Sequence, residues 1–220
     1  MSGLYVFGLA GQKAASFVAA GHRIEFVKAD DVYAAIERVS RPPAVSEETL
    51  RKQHEVVAHI AGRVEALLPA RFGAFVDARE LRALVAGRRE AILEALALVQ
   101  GRTQMTARLL GPELPAAVVP AETRATTGTE YLANRRGAAA SQAMPAALCA
   151  VADAVRGIIV AERLEAGRGR VIATLYHLLD RDVVAEYKAA LASIPPLTGD
   201  LARSVTGPWP PFAFAPDLWE

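Results

Sequence analysis

The 220-residue sequence holds one cysteine, Cys149, so no disulfide can form within the chain, as suits a reducing compartment. Charge of neither sign is in excess. The formal net charge is +1, which argues against the concentrated basic face that broad nucleic-acid binding needs. Long uninterrupted apolar runs are missing too. The longest apolar stretch, AAASQAMPAALCAVADAVRGIIVAERL, is broken by Pro145, Asp153 and Arg156, so no lipid-membrane span is expected. The first residues carry an apolar run with no basic stretch ahead of it, and they read as strand and loop rather than a signal peptide.

Signatures of catalysis and ligand binding are equally scarce. Neither GxGxxG nor GxxxxGK[ST] occurs. The segment EAGRGRV follows a helical pattern and precedes a strand pattern. A phosphate cradle needs the reverse order, so this reads as a helix stop with a turn. The histidines at 22, 54, 59 and 177 are scattered, and His54 and His59 miss the i, i+4 spacing of a ligand pair. With one cysteine, no zinc site is readable. His54 sits on the apolar face of its helix and reads as a boundary histidine. Cys149, among Leu148, Ala150 and Val151, reads as a buried inert thiol rather than a nucleophile paired with His177. The carboxylates Asp30/Asp31 and Asp180/Asp182 fall at turns and caps. No nucleophile, base and orienting group come together, so no catalytic residue, cofactor or metal is expected.

What is present is a globular pattern, 52% hydrophobic and 22% charged. Residues 3–9 and 22–29 read as strands, and 32–39 fits a third strand or a helix. Ser46 opens a helix whose stripe is Leu50, Val57, Ile60, Ala61, Val64, Leu67 and Leu68, with Val45 and Leu50 spaced as a hydrophobic staple; Pro69 ends it. A strand is expected over 70–76. Asp77 and Glu80 then form a capping box for a helix to Val99, stepped at Gly87. In the strand RTQMTARLL, Met105, Ala107 and Leu109 face inward while Thr106 and Arg108 face water. Residues 111–128 read as loop, and 129–136 and 144–166 as helical. Residues 171–179 read as a strand, Asp182 caps a short helix to Ile194, and 201–205 form the last strand.

These elements define an α+β chain of two small domains. Residues 1–68 form the first. Residues 69–220 form the second, in the order of a ferredoxin-like split βαβ sheet with a helical insertion at 129–166 and a tail at 206–220. Arg71, between a helix end and an apolar strand, needs a carboxylate or carbonyl partner if buried, or else keeps its head in water. The tail is unusual. TGPWPPFAF packs three prolines, a tryptophan and two phenylalanines into Thr206–Phe214. Proline fixes φ, so such a segment loses little entropy on being ordered. It caps the protein's own core or meets a partner.

Four stretches recur as a set: LYVFG, LLPARFGAF at 67–75, TGTEYL at 127–132, and TGPWPPFAF. Together they resemble the gas vesicle protein F/L family along nearly the whole chain, GPWPP with its aromatics being the most specific part. Phe212 and Ala213 stand where Tyr and Ser are more usual. The resemblance implies a non-enzymatic accessory protein of gas vesicle assembly, acting at the vesicle and in the cytoplasm. Its implied partners are the small hydrophobic shell protein and other gas vesicle accessory proteins. The matching residues Arg71, Phe72, Gly73, Tyr131, Leu132, Gly207, Pro208, Trp209, Pro210, Pro211 and Phe212 become candidates for structure or partner contact. The rival reading is a small ferredoxin-like enzyme or haem-binding protein using a lone histidine such as His177, because one fold hosts many functions.

Overall fold

The computed structural model describes residues 3–112 and 144–218, and the chain divides into two compact units. Unit 1 comprises residues 1–104 with 209–220, and unit 2 comprises 105–208. The expected division after residue 68 falls inside unit 1.

Unit 1 is built on a sheet with β1 (Gly3–Ala10) at its heart. β2 (Phe17–Ala19), β3 (His22–Ala29), β4 (Val32–Val39), β1 and β5 (Leu67–Pro69) follow in that spatial order, and β6 (Phe75–Val76) also pairs with β1. All the pairings here are antiparallel. Residues 32–39 are therefore a strand. They turn back from β3 over Asp30-Asp31, where Asp30 takes φ 50°, a left-handed value that aspartate tolerates in tight turns. β1 is buried along its whole length, as a central apolar strand requires. Gly8 sits at an irregularity in its pairing with β4. A side chain there would meet the Leu68 carbonyl at 2.7 Å, so the glycine permits the close approach of β5.

Ser46 caps α1 (Glu47–Ala61), its hydroxyl accepting from the Thr49 amide in a reciprocal box. The helix is shorter than its apolar stripe suggests. It stops at Gly62, and Leu67 and Leu68 leave the helix to pair with β1 as a strand. Leu50 is 45% exposed, and Gln53, Val56, Val57 and Ile60 form the buried face instead. Val45 is exposed as well, so the staple does not close. Asp77 and Glu80 form the expected capping box of α2 (Ala78–Gly87), and α3 (Arg89–Val99) follows after the step. The expected strand at 70–76 is interrupted. Gly73 takes φ 89°, and only Phe75–Val76 is a strand there, although Ala70 N–H donates to the Phe7 carbonyl and the Ala74 carbonyl accepts from Val6 N–H.

Unit 2 takes most of a second sheet, in spatial order β10 (Ala202–Trp209), β7 (Arg102–Leu110), β9 (Val171–Asp180), β8 (Ala161–Ala166). In the described chain the elements run β7, α4 (Ala146–Val155), β8, β9, α5 (Val184–Ala192), β10. The series strand, helix, strand, strand, helix, strand thus starts at β7, later than expected. Residues 161–166 are a strand rather than the end of a helix. They pair antiparallel with β9, Ala161 opposite Leu178 and Ala166 opposite Ala173. The last strand runs on through Gly207 and Pro208 to Trp209, with a cis peptide at Gly207–Pro208. Met105, Ala107, Leu109, Leu148, Val151, Val155, Leu175, Leu179 and Tyr187 make the core. Thr106, expected in water, is buried. The proposed helix at 129–136, with Tyr131 and Leu132, lies outside the described residues.

Candidate functional site

The two most specific sequence motifs meet in unit 1. The first occupies the loop between β5 and β6. Tyr5, on β1, donates its hydroxyl to Gln53 Oε1 on α1. The Gly73 amide donates to the Tyr5 hydroxyl at 3.2 Å, and Gln53 Nε2 donates to the Ala70 carbonyl at 3.3 Å. Burial raises the Tyr5 pKa, with the Gly73 amide pulling the other way, so the phenol stays protonated and keeps its proton for Gln53. Phe72 lays its edge toward the Tyr5 ring at 6.2 Å. Both ends of the loop are therefore pinned, and Arg71 projects from its middle. A cleft of about 20 Å³ lies beside it, lined by Tyr5, Phe7, His22, Pro43, Thr49, Gln53 and Phe72. That is room for roughly one water, not for an organic substrate.

The second motif is the tail. Trp209 closes β10, and its carbonyl accepts from the Thr103 hydroxyl at 2.9 Å. Its ring meets His54 of α1 edge-on at 5.0 Å, and Phe212 stacks on the same imidazole at 5.8 Å. Pro210 and Pro211 are buried, and a short turn at Phe212–Phe214 lies against β5. The Ala213 amide donates to Gln104 Oε1 at 2.8 Å. Leu218 is buried. Between these apolar contacts, Asp217 Oδ2 receives Arg71 Nη2 at 2.7 Å, and the Asp217 carbonyl accepts from Arg88 Nη1. Arg71 thus has a carboxylate partner while 67% of its side chain stays in water, and Asp217 is 5% exposed.

Among the sequence candidates, the structure brings Arg71 into contact with the tail, Phe72 and Gly73 with Tyr5, and Trp209 and Phe212 with His54. Gly207 and Pro208 belong to the end of β10 in unit 2. Sequence reasoning did not pick out Asp217, Arg88, Gln53 or Tyr5 as members. Gln53 carried the readable signal: a polar residue at i−3 and i−4 from Val56 and Val57, on the face that turns inward.

Unit 2 carries a second polar cluster. His177 is fully buried; its Nδ1 lies 2.7 Å from the Tyr187 hydroxyl and its Nε2 3.0 Å from Glu162 Oε2. Burial lowers the His177 pKa, partly offset by Glu162, and the neutral ring donates from Nε2 to the carboxylate while Tyr187 donates to Nδ1. Both ring nitrogens are thus occupied, which leaves the imidazole no lone pair for haem iron. Cys149 is exposed, not buried, because α4 turns Leu148, Val151 and Val155 inward and residue 149 falls about 100° away from Leu148. Among the described residues no group of three His, Cys, Asp or Glu side chains could hold a metal ion, and no helix is long and apolar enough to cross a membrane.

Fold and site together define a mixed α/β protein with antiparallel strand pairing, and among the described residues the motif side chains of unit 1 pack on one another beside a cleft with room for roughly one water. The family of gas vesicle synthesis proteins GvpL/GvpF matches residues 3–216, and the chain belongs to that family. Two solved structures share the fold. The gas vesicle protein GvpF from Anabaena sp. PCC7120 superposes with a TM-score of 0.72 at 14% identity, over 98% of this chain and 97% of that one. GvpF from Microcystis aeruginosa gives 0.70 at 12% identity, over 98% and 100%. Among curated proteins no significant sequence match was found. The family places the protein in gas vesicle formation.

Proposed function

We propose that this chain is a non-catalytic assembly factor that binds the small hydrophobic shell protein and limits its aggregation while a gas vesicle nucleates and grows. The observation that carries this reading is the family match over residues 3–216. A gas-excluding wall needs subunits with one very apolar face, and such subunits associate indiscriminately in water before assembly. A protein that covers that face must itself offer apolar and aromatic surface. In unit 1, Val45, Leu50 and Phe212 are exposed, and Phe212 stacks on His54. Other gas vesicle accessory proteins are further partners in this reading, and the vesicle and the cytoplasm are its locations. Unit 2, with its strand–helix–strand–strand–helix–strand series, is read as a ferredoxin-like split βαβ sheet serving as scaffold.

The test is co-expression with the shell protein, followed by capture through a tag on this chain. A shell protein that becomes soluble and is recovered in complex is the expected result. Unchanged solubility with no captured complex overturns the proposal.

A further inference from the structure

The tail is covalently the continuation of β10, yet His54, Gln104, Arg71 and Arg88, which it meets, all belong to unit 1. Its hold is uneven. Pro210, Pro211 and Leu218 are buried, whereas Phe212 is 37% exposed and residues 213–217 are only partly covered. Polar anchors along it include Ala213 N–H to Gln104, the Asp217 carbonyl to Arg88, and the ion pair of Asp217 with Arg71.

That ion pair is lopsided. The carboxylate is buried and the guanidinium is largely in water. Asp217 Oδ1 is also buried and makes no hydrogen bond, while Oδ2 takes the arginine. A carboxylate oxygen taken from water without a partner opposes docking, because its lost hydration is not replaced. An element held by few buried apolar groups, with a desolvated charge among them, belongs to the low end of local stability. The receiving surface is different in kind. The Arg71 loop is pinned at Ala70 and Gly73 by Gln53 and Tyr5, inside the sheet and α1 core. The latch therefore has a rigid half and a weakly held half.

The weak half also has something to uncover. Its turn at 212–214 lies against β5, the end strand in the path of the unit 1 sheet, whose Leu67 and Leu68 are buried. An end strand left open offers unpaired backbone groups to another chain, and covering it with a loop is one way proteins prevent that.

We propose that residues 210–218 form a detachable strap, latched by Asp217 to Arg71, that opens without unfolding the rest of unit 1 and so exposes the β5 edge. This holds whether or not the shell protein is the partner, because it concerns the chain alone.

Hydrogen exchange of the full chain reads it directly. In the wild type, the amides of 212–215, 217 and 218 and that of Leu67, which points away from β1, should exchange faster than the β1 amides of Val6 and Leu9. Arg71→Met and, separately, the nearly isosteric Asp217→Asn should each raise strap exchange by about tenfold or more, the effect expected on losing one charge-assisted hydrogen bond. The β1 amides should keep their wild-type rate. Three results would overturn the proposal: strap and β1 amides sharing one rate in the wild type, both substitutions accelerating strap and β1 by the same factor, or neither substitution changing strap exchange.

Discussion

Glu162 and His177 stand opposite each other in the register of β8 and β9, with Oε2 and Nε2 3.0 Å apart and Tyr187 closing the other side of the ring. The pair ties the outer strand to a ring inside the core. Neutral imidazole satisfies both neighbours. A second ring proton would need the Tyr187 hydroxyl to accept instead of donate, with its own proton redirected within the core.

Stability should therefore respond to mild acid. The His177 pKa is lowered in the folded state by burial, relative to the ordinary value of 6.5. Below that ordinary value the unfolded chain binds a proton that the folded chain refuses, so stability falls as the pH drops from about 6.5 toward the folded pKa. Thermal melts between about pH 7 and about pH 5 should show this decline, and His177→Gln should flatten it. An unchanged slope in the variant would mean that other groups carry the acid sensitivity.

Tyr5→Phe tests the pinned loop. It leaves Gln53 Oε1 and the Gly73 amide without the hydroxyl that joins them. The cost should be about 1–3 kcal/mol, the range for stranding buried polar groups. A urea midpoint within error of the wild type would show that water replaces the hydroxyl.

Trp209→Ala removes a ring that is half-buried and faces His54 edge-on. Full burial would put the loss at about 3–5 kcal/mol, and partial burial sets the expectation near about 3 kcal/mol. The measurement is the denaturant midpoint of the isolated chain, in a Trp219→Phe background if fluorescence is used. If the midpoint stays put while capture of the shell protein is lost, the tail acts as a recognition arm instead.

Gly8→Ala should destabilise by about 1–3 kcal/mol through overpacking, since the new methyl group meets the Leu68 carbonyl, which is backbone and cannot swing away. Thermal melting of the variant checks it. A wild-type melting temperature would show that β5 shifts freely.

Much of this fold is legible one segment at a time. β3 announces itself by alternation and the Asp30-Asp31 turn after it, and α1 and α2 by Ser46 and Asp77, whereas 32–39 fits a strand or a helix until its pairing with β1 and β3 decides. The misreadings share one cause. Leu67 and Leu68 continue the spacing of α1, and residues 161–166 fall within the helical reading of 144–166, but pairing with β1 and β9 claims both segments as strands. Helical periodicity is a local signal, whereas a strand's partner lies elsewhere in the chain. The site divides in the same way. Arg71 and the tail stand out by residue type. Asp217, the carboxylate that joins them, is an unremarkable acid until the chain is folded.

The chain enters unit 2 within β7 and leaves it within β10, so residues 209–220 complete a unit that the first 104 residues began. During synthesis the N-terminal part must wait for the whole of unit 2 to emerge before its final piece arrives. Until then the Arg71 loop has no Asp217, and β5 lacks the turn at 212–214 that lies against it. A ribosome stalled after residue 208 would thus have delivered every residue of unit 2, while the earlier-made unit stayed unfinished. Loss of residues 209–218 would thus be felt in the unit whose other residues precede unit 2 in the chain.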